Sequence, residues 1–353
     1  MIRRFTASNF RCLENVELSF SPDFNLIYGA NASGKTSILE ALAYLGRGKS
    51  FRGASTTNLV RHGEQEFVLF GETAADGRVQ RVGVRNSREG LEVRVDGSSA
   101  GGAAALAQAL PLQVIDPEVH SLVAGGPELR RRFIDWVAFH VEHDHLQAWR
   151  QFRRALKQRN AALRGGASAA TIRSWDAEFL ELGGKLDTSR RRALEVAHEA
   201  LVDFGVRLLD TELGFEYQQG WAAGRELSEA LSEGLERDRQ QGTTQHGPHR
   251  ADLKVTYDER QARKLVSRGQ QKLLASAMIL AATETAQAAL ERPLLLLLDD
   301  PAAELDAEAL GRLLDAVESL GCQVVATSLE PDALALPAAA SVFHVEHGVL
   351  RAV

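Results

Sequence analysis

At 353 residues, with 44% apolar and 25% charged residues, the chain is long enough for two domains or for one domain carrying a large insertion, and its composition excludes disorder. The formal net charge is −6, so any affinity for a polyanion has to come from a local basic face. Two distant cysteines, Cys12 and Cys322, no apolar leader behind Met1 and a longest apolar run of only Pro293–Leu298 lead us to expect a soluble, cytoplasmic protein with buried reduced thiols and no membrane role.

In chain order, residues 1–28 alternate as strands do, with Ile2, Phe5, Phe10, Val16, Leu18 and Phe20 set between polar residues. Phe24–Tyr28 reads as a buried strand. It runs into Gly29-Ala30-Asn31-Ala32-Ser33-Gly34-Lys35-Thr36, which fits G-x-x-x-x-G-K-[ST]. Behind it, Ile38, Leu39, Ala41, Leu42 and Leu45 mark one face of a helix. Strand, loop and helix together predict a phosphate cradle, because glycines let the backbone close on an anion and the helix N-terminus faces it. Lys35 is predicted to reach the β- and γ-phosphates of a bound nucleotide, and the Thr36 hydroxyl to ligate Mg²⁺. Arg11, in Asn9-Phe10-Arg11-Cys12, is either a solvated edge-strand arginine or a phosphate contact.

Gly46–Gly53 is a basic, glycine-punctuated loop whose Arg47, Lys49 and Arg52 suit bound phosphates or simple solvation. Strands over 66–73, 79–85 and 91–95, with turns at Asp76-Gly77 and Asp96-Gly97, predict an antiparallel sheet abutting the nucleotide sheet. A short strand follows at Leu112–Ile115. From Asp116-Pro117-Glu118 to about residue 238 the pattern turns helical. The stretch 129–164 carries nine basic residues, among them Arg130, Arg131, Arg150, Arg153, Arg154, Lys157 and Arg159, against three acids. Its aromatics, such as Phe133 and Trp136, fall at core spacing, which leaves the basic side as the candidate surface. Gly165-Gly166 breaks this helical stretch, and a second helix over about 174–214 makes an antiparallel hairpin with it, an arm inserted into the body.

Residues 245–252, Gln-His-Gly-Pro-His-Arg-Ala-Asp, are a dense polar cluster with too few ligands for a metal; Arg and His lining a nucleotide or DNA site is the better reading. Ser267-Arg268-Gly269-Gln270 precedes an apolar helix over 273–290. Leu294–Leu298 is a continuous apolar strand, buried on both faces as in a parallel sheet, and it ends in Asp299-Asp300. The C-terminal end of such a strand is where a ligand for nucleotide-bound Mg²⁺ belongs.

A phosphate loop, a later Ser-x-Gly-Gln and a carboxylate strand some 30 residues beyond it resemble ATPases of the ABC and SMC type. Within these the chain resembles the RecF family. The resemblance is carried by Asn9-Phe10-Arg11, Gly29–Thr36, Gly46–Arg52, Gly126–Asp135, Leu156–Leu163, Gly247–Asp252, Ser267–Lys272, Leu298–Asp300 and Glu304-Leu305-Asp306. It implies an α/β head with an inserted helical arm, divided as 1–118 (head), 119–240 (arm) and 241–353 (head). It further implies ATP sandwiched in a head-to-tail dimer between the phosphate loop of one subunit and Ser267, Gly269 and Gln270 of the other. Asp299 would help hold Mg²⁺, and Asp300 would orient or deprotonate the attacking water.

The resemblance also implies a DNA-binding repair protein acting at gaps and single-strand/duplex junctions, with RecO and RecR as partners that load RecA. Two departures from the wider ABC pattern, Asp300 in place of a usual Glu and Thr327-Ser328 in place of a His, predict slow hydrolysis. The glutamine-loop residue is not placed. The principal rival reading is the ATPase subunit of a membrane transporter; a structural scaffold and a phosphate-loop kinase leave more motifs unexplained.

Overall fold

The structure, a computed structural model, describes residues 1–75 and 78–352; the turn expected at Asp76-Gly77 lies outside them. The period-two pattern at the start builds a one-sided sheet. Ile2, Phe5, Ala7 and Phe10 of β1 (Ile2–Phe10) are buried, and an irregular register between Ile2 and Arg4 keeps both Ile2 and Phe5 on the core face despite their odd spacing. β2 (Leu13–Ser19) returns beside β1. β3 (Phe24–Tyr28) leaves for a second sheet and feeds α1 (Lys35–Arg47). The chain then adds β4 (Phe67–Ala75), β5 (Arg78–Ser87), β6 (Gly90–Val95) and β7 (Ser98–Ser99), completing an antiparallel sheet ordered β2-β1-β4-β5-β6-β7. α2 (Ala103–Ala109) and β8 (Leu112–Ile115) follow.

A largely helical stretch comes next: α3 (Ser121–Ala124), α4 (Pro127–Val141), α5 (His145–Arg164), α6 (Ala169–Arg173) and α7 (Asp176–Leu209). After β9 (Leu213–Gln218) come α8 (Leu227–Glu233), α9 (Leu235–Gln241), β10 (Asp252–Tyr257), β11 (Arg260–Gln261), α10 (Ala262–Leu265) and α11 (Arg268–Leu290). β12 (Leu295–Leu298), α12 (Ala307–Ser319), β13 (Gln323–Ser328), β14 (Ser341–Glu346) and β15 (Val349–Ala352) end the described chain.

By contact the chain forms two compact units, 1–119 with 291–353, and 120–290. In the first, the sheet β15-β14-β3-β13-β12-β8 is parallel except for β15. Every residue of β8, β12 and β13 is buried, as a sheet covered on both faces requires. α1 packs against strands of both sheets, and its Ile38, Leu39, Leu42 and Leu45 join Phe5, Leu69, Leu112 and Leu297 in one core.

In the second unit α7 is the spine, about 50 Å long at 1.5 Å per residue. Phe179, Leu182, Leu186, Ala193, Ala197, Leu201, Phe204 and Leu208 are buried along it, and α4, α5 and α11 pack on it. Residues 241–290, assigned above to the head, therefore pack with the helical unit: α11 lies on α7, α4 and α3. α11 is long and apolar enough to cross a bilayer by length and composition alone, yet most of it is buried within the protein.

Candidate functional site

Strand register sets one edge of the parallel sheet. Tyr28 pairs with Ser328, Ala326 with Leu298, and Leu298 with Ile115. Gly29, Asp299 and Asp116 follow the last paired residues of β3, β12 and β8, and Thr327 follows Ala326 within β13, so four strands bring these residues to the C-terminal end of the sheet, where α/β proteins bind ligands. The phosphate loop leaves β3 here. A β-carbon at Gly29 would fall 2.3 Å from the Val345 carbonyl oxygen, and Gly34 adopts φ +115°, so both ends of the loop need glycine.

Lys35 Nζ folds back onto the loop, donating to Gly29 O at 2.6 Å and Ala30 O at 2.9 Å. Those two carbonyls hold the ammonium where an anion entering the loop would meet it. Burial lowers the Lys35 pKa, while Asp300 and Asp299 pull it back up.

Thr36 Oγ1 donates to Asp299 Oδ1 at 3.0 Å, joining the first turn of α1 to the carboxylate strand across 263 residues of sequence. Giving its proton to Asp299 turns the Thr36 lone pairs outward. Burial raises the Asp299 pKa, against the opposing hydroxyls of Thr327 and Thr36. Asp116 is pushed up to about 6, chiefly by burial and then by Asp299. Buried carboxylates that repel one another next to an alcohol are the environment a divalent cation relieves, and Mg²⁺ needs few protein ligands when phosphate oxygens and waters supply the rest. The residues thus fit Mg²⁺–ATP.

Arg11 is neither a solvated edge residue nor an available phosphate contact. Its Nε and Nη2 both donate at 2.9 Å to the buried carboxylate of Glu40 on α1, which also accepts from Ser50 Oγ, and its Nη1 donates to Asn58 O. Of the basic loop, Arg47 turns inward to Gln113 Oε1 at 2.9 Å, and burial lowers its pKa to about 10. Cys12 is exposed, contrary to expectation, while Cys322 is buried with its thiol pushed up to about 12.

Ser267 and Gln270, placed by sequence in the partner-facing half of the site, form a reciprocal cap at the start of α11. Gln270 N–H donates to Ser267 Oγ at 3.3 Å, and Ser267 N–H donates to Gln270 Oε1 at 2.9 Å. This Ser-x-x-Gln capping box, a signal present in the sequence, starts the helix at Arg268, with Gly269 in its first turn, and not at 273.

The basic candidates divide into two groups. Arg130 is buried, bidentate on Asp252 at 2.8 and 3.0 Å and donating to Gly125 O at 2.8 Å; Arg131 donates to Ala251 O at 2.7 Å. Arg159 is fully buried, donating to Asp176 at 2.9 Å, Asp238 at 2.7 Å and Thr244 Oγ1 at 2.8 Å. Arg130 and Arg159 are therefore internal struts and present no face to DNA. His249 is internal as well: its Nε2 lies 2.9 Å from Thr244 O, and burial lowers its pKa to about 4. Arg150, Arg153, Arg154 and Lys157 are exposed at helical spacing on one side of α5 with Arg164 a further two turns on, and none has an ion-pair partner among the described residues. Arg153 lies over the Trp149 ring at 4.7 Å. α5 holds no acid at all.

Comparison with known proteins agrees with this geometry. Residues 1–350 match the family described as RecF/RecN/SMC N terminal domain. The "DNA replication and repair protein RecF" of Pseudomonas aeruginosa (strain LESB58) is 38% identical over 355 residues, covering 98% of this chain and 96% of the relative. That of Edwardsiella ictaluri (strain 93-146) is 39% identical, covering 98% of each. Among solved structures, the "recombination mediator protein RecF-ATPrS in RecFOR pathway" superposes with a TM-score of 0.89 at 25% identity, covering 100% of this chain and 98% of that one. An SMC head bound to the C-winged helix domain of ScpA, 16% identical, superposes at 0.61 with 100% and 96% coverage and shares the fold. The fold class is thus the ABC/SMC-type ATPase head, and the chain belongs to the RecF family of DNA replication and repair proteins.

Proposed function

We propose that the chain is a weak, DNA-stimulated ATPase of the cytoplasm. In this reading Mg²⁺–ATP drives a head-to-tail dimer that clamps duplex DNA at gaps and single-strand/duplex junctions. The Thr36–Asp299 hydrogen bond beside Lys35 carries the proposal, because it brings the phosphate loop and the carboxylate strand into one site.

The loop Gly29–Gly34, with Ala30, Asn31, Ala32 and Ser33 between its glycines, would cradle the phosphates with those backbone N–H groups not already donating to carbonyls, as Gly29 does to Ser328 O and Ser33 to Ala30 O, and Lys35 would neutralise them. Thr36 and Asp299 hold the Mg²⁺, which supplies charge neutralisation on the phosphates. Asp300 orients or deprotonates the attacking water, one methylene further back than a Glu would stand, which supports slow turnover. Ser267, Gly269 and the amide-rich N-terminus of α11 complete the partner subunit's nucleotide.

The acid-free α5 supports a DNA face made of Arg150, Arg153, Arg154 and Lys157, with Arg131 beside a backbone carbonyl as a weaker member. The same reading takes RecO and RecR as partners in loading RecA, as the RecFOR pathway of the structural relative suggests. The family match along 1–350 does not favour the transporter reading.

Light scattering with Mg²⁺–ATP, with and without a duplex oligonucleotide, tests this. Wild type is expected to dimerise only with ATP. Lys35→Met should lose nucleotide, and Ser267→Arg should bind ATP yet stay monomeric. If ATP leaves the wild-type mass unchanged and Ser267→Arg behaves the same, the sandwich fails and a single-subunit nucleotide switch replaces it.

A further inference from the structure

Thr327 follows Ala326 on β13, at the position where the wider ABC pattern leads one to look for a γ-phosphate contact. Its hydroxyl points elsewhere. Thr327 is completely buried, and its Oγ1 donates to Asp299 Oδ1 at 2.9 Å while accepting the Asp300 backbone N–H at 2.9 Å. A hydroxyl has one proton to give, so both of its strong bonds are spent on the two carboxylate residues. Ser328 is spent too, donating to Glu330 O at 2.6 Å.

We infer that Thr327 is a positioning residue for Mg²⁺–ATP, holding Asp299 and the Asp300 backbone in the arrangement that receives the cation. The inference rests on the Mg²⁺–ATP reading above and deepens it.

Three observations carry it. Asp299 Oδ1 accepts two hydroxyls, Thr36 at 3.0 Å and Thr327 at 2.9 Å, from opposite ends of the sequence. Two donors on one oxygen fix the carboxylate's rotation and leave Oδ2 without a hydrogen bond among the described residues. Next, Asp300 adopts φ +49°, a left-handed conformation that disfavours a residue with a β-carbon, and its N–H, tethered to Thr327, holds the chain there together with the Ala303 N–H on its carbonyl. Finally, Asp299 N–H makes a backbone bond to Ile115 O at 2.9 Å, so the β8–β12 ladder reaches Asp299, and the next amide is held by a side chain where a carbonyl would otherwise serve. A valine at 327 matches the volume of threonine and supports none of this.

The test titrates Mg²⁺ against binding of a fluorescent ATP analogue to wild type, Thr327→Val and Thr327→Ser, with thermal unfolding of each nucleotide-free protein alongside. Outer-shell partners of a metal ligand typically control affinity by 10- to 100-fold, so Thr327→Val should need about 10-fold more Mg²⁺ for half-maximal tight binding. Affinity in EDTA should stay at the wild-type value, and Thr327→Ser should restore the wild-type Mg²⁺ midpoint. Should Thr327→Val not fold, Thr327→Ala carries the same expectation. An unchanged Mg²⁺ midpoint in a folded variant lacking the hydroxyl overturns the inference and leaves the ATPase reading standing. A wild type whose nucleotide affinity ignores Mg²⁺ overturns both.

Discussion

Buried charge shapes the second unit residue by residue. Arg159 sits between Asp176 and Asp238, Arg130 holds Asp252, and Arg190 holds Asp135 while donating to Pro248 O at 2.6 Å. Asn160 Oδ1 accepts from both the backbone and the hydroxyl of Thr244. Arg130, Asp135, Arg159, Asn160 and Asp252 are among the residues that carry the family resemblance outside the nucleotide site, and here their work is internal. His249 lies within this network, where it stays neutral. An unfolded chain protonates it at the ordinary 6.5, whereas the folded chain resists until about 4, so the folded state binds fewer protons in between. Its contribution is present above pH 6.5 and is lost as pH falls towards 4, about 3 kcal/mol in all. Urea unfolding of wild type should weaken across that window, and His249→Gln should flatten the dependence. A variant with the wild-type acid slope would show that other groups set it. The arginines themselves were legible in the sequence, but not their burial. Asp252 lies 122 residues from Arg130 and Asp238 lies 79 from Arg159, and no local pattern announces such a pairing.

Among the elements, α5 is the one with two distinct faces. Ala148, Phe152, Ala155, Arg159 and Leu163 recur three or four residues apart and are buried; Arg150, Arg153, Arg154 and Lys157 occupy the other side. A row of cations with no acid to pair with repels itself, and a polyanion relieves that repulsion by releasing its counterions. If Arg153 and Arg154 each neutralise one phosphate, removing both should lower the slope of log K against log[salt] by about 2. The double Arg→Ala variant, followed by fluorescence anisotropy on a duplex at several salt concentrations, measures this, and its melting temperature should fall only slightly, because both side chains are exposed and the Arg153–Trp149 ring contact is worth only about 0.5–1 kcal/mol. An unchanged slope would move the DNA face off α5. Elements with one strong period were legible: the apolar β12, and the strand, glycine loop and helix around Lys35. Less legible were breaks made by polar residues. Glu142, His143 and Asp144 separate α4 from α5 within what reads as one basic helical stretch, and the Ser267–Gln270 cap starts α11 well before its apolar run begins.

For the molecule as a whole, the division of labour between the two units has a consequence for coupling. Gly29–Thr36 and Asp299-Asp300 belong to the unit built from 1–119 and 291–353. Ser267, Gly269 and Gln270 sit at the head of α11, in the unit that also carries α5. α11 and α5 both pack on α7, so the segment proposed to meet the partner's nucleotide and the proposed DNA face share one rigid support. In a dimer, a nucleotide bound to one subunit's phosphate loop would engage the other subunit's Ser267 and thereby fix the unit that holds that subunit's α5. Nucleotide and DNA affinities then become linked, and linkage is reciprocal: the factor by which ATP tightens DNA binding must equal the factor by which DNA tightens ATP binding. For a coupling of ordinary size that factor is about 5- to 150-fold. Ser267→Arg should reduce it to one while leaving intact the affinity for ATP measured without DNA and for DNA measured without ATP, because neither surface contains Ser267 within a single subunit. Titrating each ligand in the presence and absence of the other, for both proteins, closes the cycle. Persistent coupling in Ser267→Arg would show that DNA senses the nucleotide inside one subunit, and the proposed clamp would lose its driving contact.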